Sequence, residues 1–161
     1  MSRKTKLADG ENCRMGNTMS IADGYALTYR IPSMADYLRL REEAGLTPRD
    51  EAAASAGLPN SFIAVVIEHE GEAIGMGRIV GDGALFFQIV DIAVLPAHQG
   101  KGLGKAIMQA LMERLAERAP GRAYVSLIAD GDASHLYAGY GFEPVAPKSQ
   151  GMAMWLDPAD G

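Results

Sequence analysis

One stretch limits what this chain can fold into: Val90-Asp91-Ile92-Ala93-Val94-Leu95-Pro96, followed at once by Ala97-His98-Gln99-Gly100-Lys101-Gly102-Leu103-Gly104-Lys105. The β-branched and apolar run reads as a buried strand that stops at Pro96. Glycines at alternate positions follow, and then an amphipathic pattern in which Leu103, Ile107, Leu111 and Leu115 recur every fourth residue. Strand, glycine turn and helix start together make an anion site, because bare N–H groups and the positive end of the helix dipole face one point. Gly100, Gly102 and Gly104 carry no Cβ to hold a phosphate away from those amides. The dinucleotide fingerprint wants its last glycine where Lys105 stands, and Gly104-Lys105-Ala106 lacks the hydroxyl and the spacing of a P-loop.

Composition bounds the rest. A chain of 161 residues suits one domain, and 48% apolar with 22% charged residues is ordinary for a soluble globular protein. A net charge of −5 argues against a nucleic-acid partner, whose footprint is normally basic. There is no run of about 18 apolar residues, hence no expected membrane span. The basic start Met1 to Lys6 precedes no apolar core, so it does not read as a secretory signal. The single cysteine, Cys13, excludes an internal disulfide framework and fits a reducing cytoplasm.

In chain order, residues 1–24 read as a flexible tail and 25–161 as the folded domain. Tyr25 to Ile31 alternates as a strand; Ser33 with Asp36 resembles a capping box for a helix ending at Gly45; Pro48 is expected at the first position of a short second helix. Ser61–Glu68 and Ala73–Val80 form a hairpin across His69-Glu70-Gly71-Glu72. The histidine and carboxylates of that tip splay outward, so no metal site is expected. Strand Ala84–Leu95 precedes the glycine turn. A helix runs from Leu103 to Pro120, with Met108 and Met112 as core filler. The strand Ala123–Ala129 should lie parallel to 84–95 because a helix links them. A short helix with Leu136, Tyr137 and Tyr140 on one face and two closing strands, Phe142–Val145 and Met152–Leu156, finish the chain. His98 and His135 read as surface histidines, and Trp155 as a core or dimer contact.

Two motifs carry a family resemblance. Gln99-Gly100-Lys101-Gly102-Leu103-Gly104 fits Gln/Arg-x-x-Gly-x-Gly/Ala and resembles the acyl-CoA pyrophosphate loop of the GNAT superfamily of N-acetyltransferases. Asp130, Ala133, Leu136, Tyr137, Gly141 and Phe142 keep the spacing of that family's Asn-x-x-Ala-x-x-Leu-Tyr-x-x-x-Gly-Phe, with Asp130 in place of the usual Asn. The resemblance implies an α+β fold: a central twisted mixed sheet of about six or seven strands, antiparallel in its first half. A parallel pair would splay at the acyl-CoA site, and about four helices flank the sheet. It implies acetyl-CoA as acyl donor and no metal. Ile92, Ala93 and Val94 would hold the pantetheine through their backbone. Gln99, Gly100, Lys101, Gly102, Leu103, Gly104 and Lys105 would hold the diphosphate, with Asp130, Ala133 and Tyr137 also on the cofactor.

The chemistry implied is direct attack of a primary amine on the thioester through a tetrahedral intermediate, the amine belonging to a small molecule. Tyr137, a phenol protonated at neutral pH, is the general acid for the departing thiolate. Asp91, the sole carboxylate of the central strand, is either the base or a hydrogen-bonded structural acid; a water oriented by Gln88, or a water chain alone, are alternatives. A homodimer would fit family habit, with neither nucleic acid nor membrane as partner. Other readings are a non-catalytic acyl-CoA-binding module and a toxin acetylating charged tRNA, which the acidic balance disfavours.

Overall fold

The computed structural model describes residues 18–157; Cys13 and the expected tail up to residue 17 lie outside the described residues. A six-stranded sheet runs in sequence order from β1 (Thr18–Ser20) through β2 (Tyr25–Thr28), β3 (Ile63–His69), β4 (Glu72–Gly81) and β5 (Phe86–Val94) to β6 (Tyr124–Leu127). All pairs are antiparallel except β5 with β6, which are parallel across α3 (Leu103–Arg118). Three further helices complete the fold: α1 (Met34–Glu43), α2 (Glu51–Gly57) and α4 (Ser134–Ala138).

Both faces of the central strands are covered, which is why β3 is apolar at consecutive positions. Ile63, Val65 and Ile67 face α3 with Ile74, Ile79, Phe87, Ile107 and Leu111. Val66, Ala73, Met76 and Ala93 face α1 and α2, against Tyr37, Leu40, Ala54 and Leu58. The hairpin between β3 and β4 turns on Glu70 (φ 51°) and Gly71 (φ 82°), both left-handed as the commonest two-residue hairpin turn requires. Helix α1 starts as its sequence says, with the Asp36 amide donating to Ser33 Oγ at 3.0 Å. It ends in a Schellman motif: Leu46 N–H donates to Arg41 O at 2.8 Å and Gly45 N–H to Glu42 O at 3.1 Å.

Three expectations are corrected. Thr18–Ser20, placed by sequence in the tail, pairs with β2 as an edge strand. Helix α2 begins at Glu51 rather than Pro48, because the Thr47 carbonyl accepts from Arg41 Nε at 2.8 Å and keeps that turn extended. The two closing strands do not form: among the described residues nothing pairs with the outer edge of β6. Pro144 and Pro147 lack donors for a ladder, and Ser149 N–H turns back to Val145 O at 2.8 Å.

The sheet admits α3 closely only because Gly77 is bare. A Cβ there would stand 2.5 Å from Ile107 Cγ2 and 2.7 Å from Ile92 Cδ1. Gly77→Ala should therefore lower unfolding free energy by about 1–3 kcal/mol in urea titrations. A change of only a few tenths would mean that α3 can lift without penalty.

Candidate functional site

Strand β5 carries one residue more than β4 opposite it: Met76 pairs with Ala93 and Arg78 with Val90, so Asp91 and Ile92 share the place opposite Gly77. Asp91 sits at φ 58°, a left-handed conformation that the short polar side chain of Asp tolerates. This bulge resets the alternation. Before it Phe87 and Ile89 face α3; after it Ile92 and Val94 do, and Ala93 turns to α1. Asp91 thereby reaches the α1 side. Its side chain is 6% exposed and lies between two guanidiniums, Arg41 on Oδ1 and Arg78 Nε on Oδ2 at 2.7 Å. Arg41 also holds the Thr47 carbonyl, Arg78 Nη1 donates to Ser61 Oγ at 2.8 Å, and both cations lie over the Tyr37 ring.

Just ahead of the bulge β5 parts from its parallel neighbour. Pairing with β6 covers Phe86 to Ile89 against Tyr124 to Leu127 and then stops, so Val90 to Val94 have an edge without a β6 partner. That edge leads through the turn Pro96–His98 into the glycine loop. Gln99 Nε2 donates back to Val94 O at 3.0 Å, tying loop to strand. Gly100 (φ 75°) and Gly102 (φ 76°) are left-handed, with open space where a side chain would project. Gly102 caps α3, whose first internal bond runs from Ala106 N to Gly102 O at 3.0 Å. The amides of Leu103, Gly104 and Lys105 are thus the unpaired donors of a helix N-terminus, and Lys101 and Lys105 are exposed beside them.

Helix α4 is fastened to this loop. Tyr140 O–H donates to Lys105 O at 2.8 Å, and Leu136 lies against Gly104. Tyr137, 9% exposed, joins the buried cluster with Leu103 and Ile107. Burial and, secondarily, the nearby negative charge of Asp130 push its phenol above the ordinary value, so it stays protonated through neutral pH. The end of β6 separates two cavities by simple alternation. Leu127 and Ala129 line one of about 430 Å3 together with Tyr137 and Phe142. Ile128 and Asp130 line another of about 460 Å3 with Arg41, Thr47, Arg49 and Trp155.

The glycine loop, the β5 edge, Ala133 and Tyr137 therefore gather on one side of the splayed sheet. Asp91 does not join them: both its oxygens serve buried arginines and none faces the edge of Ile92 to Val94. Sequence reasoning missed Arg41 and Arg78: Arg78 is a lone cation inside an apolar stretch of β4, a signal that could have found it, whereas Arg41 is one of several charged residues of α1 and carries none. It placed His69 on a solvated turn and His98 at the surface; both are half-buried and pack against Tyr25. His69 stacks on Tyr25 with ring centroids 4.4 Å apart, and Tyr25 O–H meets His98 Nδ1 at 2.8 Å. Trp155 is 65% exposed, not core, with Arg49 lying on its ring at 4.6 Å. Among the described residues no three His, Cys, Asp or Glu side chains converge as metal ligands, and no helix is long and apolar enough to cross a membrane.

Sheet order, bulge and glycine loop define an acetyltransferase of the GNAT class. A model of the acetyltransferase (GNAT) domain matches residues 60–144. The chain belongs to that family. A protein of unknown function and probable acetyltransferase from meticillin-resistant Staphylococcus aureus is similar at 44% identity and a TM-score of 0.78, over 82% of this chain and 99% of that one. A GNAT-family acetyltransferase from Streptococcus pneumoniae shares the fold at 24% identity and a TM-score of 0.64, over 83% and 98%. Glucosamine-6-phosphate N-acetyltransferase from Arabidopsis thaliana shares it at 19% identity and 0.59, over 81% and 99%. Comparison with functionally curated proteins gave no match.

Removing the Asp91 charge should reveal what it holds. Asp91→Asn suits the left-handed backbone but leaves two buried guanidiniums without a counter-charge, so stability should fall by about 3–5 kcal/mol in chemical denaturation. Full stability with lost turnover would instead return Asp91 to the role of base.

Proposed function

We propose that the chain transfers the acetyl group of acetyl-CoA to a primary amine of a small molecule by direct attack. The observation that supports this most is the continuity of the unpaired β5 edge with the open amides of residues 100–105. One ligand with an amide-bearing arm and a diphosphate fits both, since the arm can add to a strand edge and the diphosphate to a helix N-terminus. Gly100 and Gly102 carry no Cβ, and the space into which one would project is open, which leaves room for such a diphosphate beside their amides.

In this reading Ile92, Ala93 and Val94 bind the pantetheine arm, and Gln99 to Lys105 bind the diphosphate. Lys101 and Lys105 add charge, while Ala133 and Asp130 border the arm. Acetyl-CoA supplies a thioester whose carbonyl carbon accepts the amine. Main-chain N–H groups of the bulged segment face developing negative charge on the carbonyl oxygen. Tyr137 gives its proton to the sulfur as the C–S bond breaks, and the ammonium proton leaves to water. Asp91 acts at a distance, as the anion that holds the bulge and α1 in register. The acceptor enters from the α1–α2 side, through the cavity of about 460 Å3.

Three measurements test this. Gly102→Asp should abolish CoA binding by calorimetry, whereas Gly102→Asn, equally at home at φ 76° but uncharged, should keep most of it; equal affinities would remove the diphosphate from this loop. Tyr137→Phe should cut CoA release by about ten- to a thousandfold at unchanged acetyl-CoA affinity. The raised phenol of Tyr137 supplies its proton while protonated, so turnover governed by it persists as pH rises past the usual phenol value of 10 and is lost only above it. A Tyr137-dependent loss near neutrality would contradict the assignment.

A further inference from the structure

The cavity between the α1–α2 loop and the end of β6 holds a pair of opposite charges that nothing nearby neutralises. Arg41 faces it but is fully engaged by Asp91 and Thr47. Arg49 is different. Its guanidinium carbon lies over the Trp155 ring, 4.6 Å from the centroid, and among the described residues it makes no hydrogen bond or ion pair. A guanidinium seated over an aromatic ring and bonded to nothing else keeps its N–H donors available, and that fork can receive a planar or tetrahedral oxyanion in two-point fashion. Neighbouring arginines show the contrast: Arg39 bonds Asp36 and Ala73 O, and Arg78 bonds Asp91 and Ser61.

Across the cavity Asp130 presents an exposed carboxylate, also without an ion-pair partner among the described residues. Where the family spelling has an amide, this chain has a negative charge at the wall shared with the Tyr137 side. A neutral amide suits an uncharged ligand arm, whereas a carboxylate suits an ammonium ion. A space of about 460 Å3 admits a small molecule bearing both charges.

We infer that the acceptor is a small primary amine that also carries an anionic oxygen group, a carboxylate or phosphate. Arg49 binds the anion and Asp130 orients the ammonium toward the thioester. This rests on the amine-acetyltransferase reading above and adds the substrate class. Arg49 is a specificity-determining residue and makes no contact with the reacting atoms.

The test compares matched acceptors in a CoA-release assay: α-amino acids against their decarboxylated amines, and O-phosphoethanolamine against ethanolamine. The anionic member of a pair should be favoured at least about tenfold in kcat/KM, and which pair shows it names the anion. Arg49→Ala should erase the preference by raising KM with kcat within about twofold, Arg49→Lys should restore part of it, and Asp130→Asn should raise KM for both members. Trp155, the single tryptophan, gives a second readout. Its fluorescence should change on titration of the anionic amine into the CoA-bound protein, and not in Arg49→Ala. Equal turnover of both members of every pair, or an unaltered preference in Arg49→Ala, would overturn the inference while leaving the amine reading intact. No turnover of any amine with acetyl-CoA still bound would overturn both.

Discussion

The site depends on one buried carboxylate. Asp91 stands in a left-handed backbone position between Arg41 and Arg78, and this triad ties α1, β4 and the bulge of β5 into one unit. A bulge by itself is a break in a ladder, able to slip. Here the slip is blocked, because moving the register by one residue would turn Asp91 to the α3 side and strand two buried cations. The bulge lies in the stretch of β5 beyond its pairing with β6, where the strand edge is open. Through Thr47 an arginine of the same triad, Arg41, sets the α1–α2 loop and hence one wall of the cavity of about 460 Å3. One anion thus ties α1, β4 and the bulged end of β5 together.

A second constraint is closeness. The glycine loop can cap α3 only if α3 lies tight on the sheet, and the sheet permits that at Gly77. Helix α4 then adds to the same turn through the Tyr140 hydrogen bond to Lys105. The N-terminus of α3 is therefore held from the strand by Gln99, from beneath by Leu103 and Ile107, and from above by α4. An anion site made of backbone amides works only when those amides are aimed in advance, since their rearrangement on binding would offset the gain.

Much of the fold was legible because its signals are local. The glycine spacing after Pro96, the Ser33 cap, the Gly45 terminator and the fourfold apolar stripe of α3 each state a backbone conformation within a few residues. Less legible was everything that needs a distant partner. The strands expected at 142–145 and 152–156 are largely apolar, yet apolar character does not name a neighbour, and Pro144 and Pro147 take the chain into a turn. Asp91 stood out as either a base or a hydrogen-bonded structural acid because an isolated acid in an apolar strand is conspicuous. Its two arginines lie 50 and 13 residues away and were anonymous until the sheet closed.

By itself the sequence determined the family, the order of elements from β2 to α4 and the glycine turn that starts α3, because glycine, proline and capping residues act on the bonds beside them. Only the tertiary structure decided what each charge does. It put Asp91 in a structural triad, laid Arg49 on Trp155, and set Ile128 and Asp130 on one cavity with Leu127 and Ala129 on the other. The physical reason is that electrostatic roles follow from separation and burial in space, and neither quantity is written along the chain.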